Sequence, residues 1–443
     1  MKPIAKAEPS SSLLSAPSLL QCVRKEFSRI PEHRGGGEVY TIPDTLMSAL
    51  AMFGLKYSSL LRFDEQKNEP VVRHNLETLY GVSLAPSDTQ MRSIVDGVSP
   101  VHLEPAFTAL HRVAERQNVF KEYEYLGGYH LVPLDGTGHF CSGKVSCPHC
   151  CVKTQGNGAV QYYHQLLGAV VVHPDRPEVI PLAPEAITKG DGQTKNDCER
   201  NAAKRLLKRI KEQYQHLRPI IVEDSLSSNG PHIKLLKELG FRYILGVKPG
   251  DHGALFKDFD EAMRQGVAGE FETADKAGVI HGYRFVNGLG LNASHPDIQV
   301  NFLEYWEHDG NRETVFTWVT DFHLHQGNVE AVMRGGRARW KIENETFNTL
   351  KSQGYHLEHN YGHGEKYLAT DFGYLTMLAF LIDQIQALGC ELFRQAVRAR
   401  RTKASFWEKL RTLFLGYLIP SWEILWQAIG KGHMASMLVL DTT

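Results

Sequence analysis

The stretch RPIIVEDSLSSNG, residues 218 to 230, limits what this chain can fold into more than any other. Ile220, Ile221 and Val222 form a continuous apolar run, as expected of a strand covered on both faces. Ser and Asn residues then open a helix, PHIKLLKELG, and a strand, FRYILGVKP, follows, so the segment reads as a βαβ-like unit. Upstream, YHLVPLDGTG, YYHQLLGAVVV and EVIPLAP are short runs rich in β-branched and aromatic residues, bounded by Gly, Pro and Asp. A helix at about 194 to 215, with Cys198, Ala202, Leu206 and Ile210 on one face, separates them from the βαβ unit.

Three strands, a helix, then alternating strands and helices is the order of a ribonuclease-H-like α/β core. That core is expected to begin at 128 and to run to 249, where the pattern interrupts itself. GEFETA, HGYRFVNGLGLN, IQVNFLEYWEHDG and ETVFTWVTDF read as antiparallel strands, a β-rich insertion over 250–325. The last part of the core, with a helix around RARWKIENETFNTLK, is expected over 326–389. Residues 1–127 read as helical: TLMSALAMFGL and HLEPAFTALHRVAERQ have helical spacing, and APSDTQMRSIVDGV opens on a cap signal. They suit a DNA-binding and assembly region, or a scaffold packed on the next domain. Residues 390–443 read as helical and partly basic. The fold class is thus α/β, a ribonuclease-H-like catalytic core interrupted by a β-rich insertion, with helical N- and C-terminal regions.

A net charge of −1 gives no global pull toward nucleic acid, so a polyanionic partner must be met locally. KRLLKR at 204 to 209, RGGRAR at 334 to 339 and the run from Arg394 to Arg411 are basic, although a charge run also suits a plain solvated face. Seven cysteines without regular spacing and no signal-peptide pattern point to a reducing cytoplasm. YLTMLAFLIDQIQAL, from Tyr374, reads as a buried helix carrying Asp383 and not as a membrane anchor. GHMASM, at 432 to 437, resembles a vector-derived scar and carries no argument.

Three carboxylates stand out. Asp135 ends an apolar strand and is followed by GTG, expected to let the backbone turn sharply; Asp224 ends another strand. Functional groups in open α/β sheets gather at the carboxyl ends of strands, although Asp also caps and turns at such places. Glu223 precedes Asp224, and alternation sends one of the two away from the site; Asp224 is the choice by its terminal place. Glu343, at 100° per residue, falls in an apolar stripe with Trp340, Phe347 and Leu350, whereas Glu345 falls outside it, beside Lys341. A buried-face carboxylate needs a partner: either Arg339 one turn earlier or a metal. Three such carboxylates can hold two Mg²⁺ (or Mn²⁺) ions, hard cations that take oxygen ligands.

CSGKVSCPHCC contains Cys147-x2-Cys150, half of a possible structural Zn²⁺ site, with Cys141, His149 and Cys151 nearby. HLEHNYGHG supplies His356, His359 and His363, open to a metal, DNA-contacting or structural reading.

Asp135 in PLDGTG, Asp224 in IIVEDSLSSNG and Glu343 in RWKIENETFNTLK resemble the catalytic triad of DDE transposases of bacterial insertion sequences. The likeness is to the group with a β-insertion before the glutamate and a Y-x2-R-x3-E-x6-K signature. Arg339 and Glu343 fit that signature; Gly336 stands at the tyrosine position, and Leu350 at the lysine position with Lys351 one place later. The resemblance implies a Mg-dependent nick at a transposon end and strand transfer of the 3′-hydroxyl into target DNA. It further implies DNA contacts from Arg339 and Lys351, with Arg337 and Lys341 beside them, and a homodimer that brings two ends together at the nucleoid of a bacterial cytoplasm. Trp306 and Trp318 are candidates to stack on a flipped base, or else are buried strand aromatics. A nuclease of the same fold without strand transfer, and a DNA-binding relative whose triad no longer acts, are the alternatives.

Overall fold

The computed structural model describes residues 13–431, apart from 37, 193–194, 309 and 311–312; the side chains of 195–197 are likewise outside the description. The ends of the two helical terminal regions and the GHMASM stretch therefore lie outside the described residues. The chain forms two compact units. One comprises Lys121–Thr137 and Gln165–Phe347, the other Met1–Phe120, Gly138–His164 and Asn348–Thr443. The expected linear boundaries differ from this division, because the strands after residue 128 carry the chain out of the first of these units and back into it.

The strands in chain order are β1 (Glu124–Tyr125), β2 (Tyr129–Ser142), β3 (Cys151–Thr154), β4 (Val160–Val171), β5 (Ile180–Pro181), β6 (Glu185–Ile187), β7 (Pro219–Glu223), β8 (Arg242–Gly246), β9 (Gly269–Ala274), β10 (Ile280–Asn292), β11 (His295–His308) and β12 (Glu313–Thr320). In the Lys121–Thr137 and Gln165–Phe347 unit the sheet order is β4-β2-β7-β8-β12-β11-β10-β9. β2, β7 and β8 run parallel, and β5 and β6 pair antiparallel with β4. All five residues of β7 are buried, as its unbroken apolar run requires of a central strand. The crossover helix Gly230–Leu239 starts where the Asn229 side chain accepts the His232 amide and stops at Gly240, whose φ of +72° completes a left-handed cap.

The β-rich segment is an antiparallel meander of β9 to β12 that continues the core sheet. β12 pairs directly with β8, Trp318 opposite Gly246 and Thr320 opposite Ile244. Alternation along these strands was readable; their attachment to the edge of the parallel strands was not.

In the other unit six helices between Ala16 and Arg116 pack with the C-terminal helices around Leu368–Gly389. That helix is longer than expected and passes for a membrane span by length and composition alone. Residues 368 to 382 along it are all buried, the condition that lets a helix be apolar all round. Its start is held by Asp96, whose carboxylate accepts the amides of Glu365, Lys366, Tyr367 and Leu368 at 3.0 Å each. The first helical region therefore holds the start of this helix.

The basic runs are largely paired within the protein. Arg205 binds Glu185 and Asp191, Arg209 binds Glu185, Arg334 binds Asp175, Arg394 binds Glu391, and Arg411 donates to the carbonyls of Leu55 and Lys56.

Candidate active site

Asp135 and Asp224 come from parallel neighbours. The β2–β7 register runs from His130 opposite Pro219 to Pro133 opposite Val222, so Asp135 stands two residues past the last pair and Asp224 one residue past the end of β7. The strand does not end at Asp135, contrary to expectation: β2 runs on to Ser142, and neither Gly136 nor Gly138 has positive φ. Gly136 supplies space, since a Cβ there would lie 2.9 Å from a Glu199 carboxylate oxygen. Asp135 Oδ1 accepts the Gly136 amide at 2.8 Å, and Asp224 Oδ1 accepts the Leu226 amide at 3.0 Å, a side-chain turn of the kind Asp makes after a strand. Glu223 is buried, with His232 Nε2 2.6 Å from one oxygen and the Ser227 hydroxyl donating to the other, while Asp224 is exposed.

Glu343 comes from a helix that is not a regular α-helix. After the α-helix Val329–Arg337 the chain tightens through a turn at 338–339, and Ile342–Phe347 is a π-helical segment. Glu343 is its second residue, half-buried. The 100° wheel placed Trp340 in the buried stripe and Ile342 outside it; Trp340 is 47% exposed and Ile342 0%. A turn followed by i→i+5 bonding rotates the face by more than a uniform wheel allows. Phe347 does pack inward, onto Gly168 of β4, where a Cβ would come 2.9 Å from its ring.

The ion-pair partner of Arg339 is Asp135, 3.3 Å away, and not Glu343. The Arg339 guanidinium also lies over the Trp340 ring at 4.9 Å. Burial pushes the Asp135 carboxyl above its ordinary range; Arg339 and the Gly136 amide oppose the rise, and the charges of Asp224 and Glu343 add to it. The charges of Asp224 and Glu343 thus reach Asp135, a repulsion that a divalent cation would relieve, and all three are hard oxygen donors. Among the described residues, the group of ligating side chains whose donor atoms all lie within 4.8 Å of one another is a Cys/His cluster, and the three acids are not gathered as tightly.

A cleft of about 570 Å³ opens beside Asp224 and Arg339, lined also by Lys248, Phe316, Trp318 and Trp340. Arg337 pairs with Glu307 at 2.7 Å, and Lys341 donates to the Arg176 carbonyl. Lys351 belongs to the other unit and pairs with Glu358 at 2.9 Å. Trp306 lies flat on Gly282, with Arg284 over its ring at 4.5 Å, and Trp318 is buried at 6% exposure, so Trp340 is the aromatic the cleft leaves most open.

Gly336, at the tyrosine position of the signature, has a physical reason. A Cβ there would lie 2.5 Å from Trp318 Nε1 and 2.6 Å from Cε2, so the indole fills the space a larger side chain would need. Gly336→Ala is expected to cost about 1–3 kcal/mol in urea denaturation, and Gly336→Tyr more. An alanine variant as stable as the parent would show that helix and indole can separate freely.

Cys147 and Cys150 lie in the unit that holds Gly138–His164, where they meet His164 and His363. His363 belongs to the histidine-rich loop already noted. His164 sits in the strand YYHQLLGAVVV and gave no motif signal.

No protein-family model matches the chain, and no curated protein matches it in sequence. A solved structure to which the chain shows a distant similarity is the piggyBac transposase synaptic complex with hairpin DNA, at 11% identity and a TM-score of 0.37, covering 97% of this chain and 81% of that one.

Proposed function

We propose that this chain is a DNA transposase of the DDE type, with Asp135, Asp224 and Glu343 as its catalytic carboxylates. The reading is supported by three acids of one unit, on β2, just past β7 and in the π-helical segment, with the charges of Asp224 and Glu343 both acting on Asp135. The strand order supports a ribonuclease-H-like core: β2, β7 and β8 run parallel, Asp135 stands two residues past the last β2–β7 pair, and Asp224 follows the end of β7 beside an open cleft. Held by the three carboxylates, two Mg²⁺ or Mn²⁺ ions would supply activation of the attacking hydroxyl and stabilisation of the leaving oxygen.

The protein's own part is positioning. Arg339 offers a planar guanidinium suited to phosphate oxygens, kept next to Asp135 and stacked on Trp340. Lys248 and Trp340 line the same cleft, as a cation and a ring suited to a nucleic-acid backbone and an unstacked base. Arg337, Lys341 and Lys351 are proposed as further phosphate contacts, each needing to leave a present partner. Two copies would act together in the cytoplasm, because an element has two ends.

The test incubates the chain with Mg²⁺, a plasmid carrying the inverted repeats that flank its gene and a second target plasmid. Breaks at the repeat ends and covalently joined products are expected. Hydrolysis alone, at any sequence, would favour a nuclease without strand transfer; binding without any break would favour an inactive relative.

A further inference from the structure

The donor atoms of the Cys/His cluster already have the spacing of a metal's coordination sphere. Cys147 Sγ and Cys150 Sγ are 3.8 Å apart, and His164 Nε2 and His363 Nε2 are 3.2 Å apart. The mixed distances are 3.4 Å for Cys147 to His164, 3.3 Å for Cys150 to His164 and 3.2 Å for Cys150 to His363. A tetrahedral zinc ion with Zn–S near 2.3 Å and Zn–N near 2.0 Å has sulfur–sulfur edges of about 3.8 Å and nitrogen–nitrogen edges of about 3.3 Å. The remaining edge, Cys147 to His363, is within 4.8 Å.

The ring chemistry agrees. His363 Nδ1 lies 2.8 Å from the Gly364 carbonyl, which can only accept, so Nδ1 carries the proton and Nε2 presents its lone pair to the cluster. Cys150, His164 and His363 are buried, and all seven cysteines are free thiols. Soft thiolates with imidazoles, in closed four-fold coordination, select zinc and leave no position for a substrate.

We infer that Cys147, Cys150, His164 and His363 form a structural zinc site that ties the β3–β4 hairpin to the loop preceding the helix Leu368–Gly389. Two ligands come from the turn before β3, one from β4 and one from a segment some two hundred residues later in the chain. Binding converts both thiols to thiolates and releases two protons to solvent, while the imidazoles bind neutral. The site is separate from the three carboxylates, which belong to the other unit, and the inference stands whether or not the chain cuts DNA.

The full chain, purified without chelator, is expected to carry one zinc per chain by elemental mass spectrometry. Cobalt(II) replacing it should give the intense visible bands of a tetrahedral S₂N₂ site. Cys147→Ser and His363→Asn should lose most of the metal, whereas Cys141→Ser and His149→Asn should keep it. Should the ligand variants fold poorly, the parent decides alone: a mercurial thiol reagent should release its zinc in step with modification of two thiols. A parent chain with no zinc and no tetrahedral cobalt spectrum would overturn the site, as would full zinc retention by a well-folded His363→Asn.

Discussion

Asp135→Asn is expected to abolish DNA cleavage while leaving DNA binding within about twofold, with a loss of activity on the order of 10³-fold, or about 4 kcal/mol of barrier. The substitution keeps the side chain's shape and its bond to the Gly136 amide but removes the charge. Asp224→Asn and Glu343→Gln should cause comparable losses, and any pair should cost little more than either alone, because groups that act as a unit are not additive. Glu223→Gln and Glu345→Gln should spare cleavage; both Glu223 oxygens are engaged, one by His232 and the other by the Ser227 hydroxyl. Stability separates the charge effect from misfolding. Burial and the like charges of Asp224 and Glu343 place the Asp135 carboxyl above its unfolded value, so the ionised group opposes folding at neutral pH. Measured without divalent metal, the Asn variant should therefore melt no lower than the parent at neutral pH. Any advantage should disappear in acid, below the ordinary carboxylate range, where both folded and unfolded parent are protonated. Unchanged cleavage by Asp135→Asn would remove the carboxylate from the chemistry.

What the sequence made legible followed local rules. Ile220 to Val222 announced a central strand because no polar residue interrupts them, and alternation accords with a buried Glu223 beside an exposed Asp224. Glu343 and Glu345 are both half-buried, so burial does not separate them as the wheel does, and the turn at 338–339 and the π segment exchange Trp340 for Ile342. Such a change of register is set by packing against β4, where Gly168 admits Phe347, and that partner is distant in sequence. The same holds for the basic runs, whose acidic partners, Glu185, Asp191 and Asp175, lie outside the runs themselves. His164 is the clearest case of a residue whose role only the fold creates. One polar side chain in an otherwise strand-like run has no motif, and it becomes part of a cluster only when Cys147, Cys150 and His363 arrive from elsewhere.

Lys56→Met is expected to cost about 3–5 kcal/mol of stability, by urea or guanidinium denaturation, more than any other surface-independent single change at a charged residue proposed for this protein. The Lys56 side chain is 0% exposed. Its Nζ donates to Asp383 Oδ2 at 2.7 Å and to the Gly54 carbonyl at 3.1 Å, between the rings of Tyr355 and Trp407 at 3.9 and 4.2 Å. Burial drives the ammonium below its ordinary range, and the Asp383 charge and hydrogen bond oppose that shift. Removing the lysine leaves Asp383 in the same surroundings with the Tyr355 hydroxyl donating to it from 2.6 Å away. The cost is then mainly that of an uncompensated carboxylate, so Lys56→Met combined with Asp383→Leu should recover a substantial part of it, a coupling a double-mutant cycle reads directly. The backbone provides a second control. Lys56 sits at a φ of +58°, a conformation glycine adopts without strain, so Lys56→Gly relieves a local penalty on the order of 1 kcal/mol while still losing the ion pair. It should nonetheless be strongly destabilised. By contrast Lys351→Met, which breaks an exposed pair with Glu358, should cost no more than about 1 kcal/mol. Equal losses for Lys56→Met and Lys351→Met would mean that the buried ammonium does not join the N-terminal helices to the C-terminal ones.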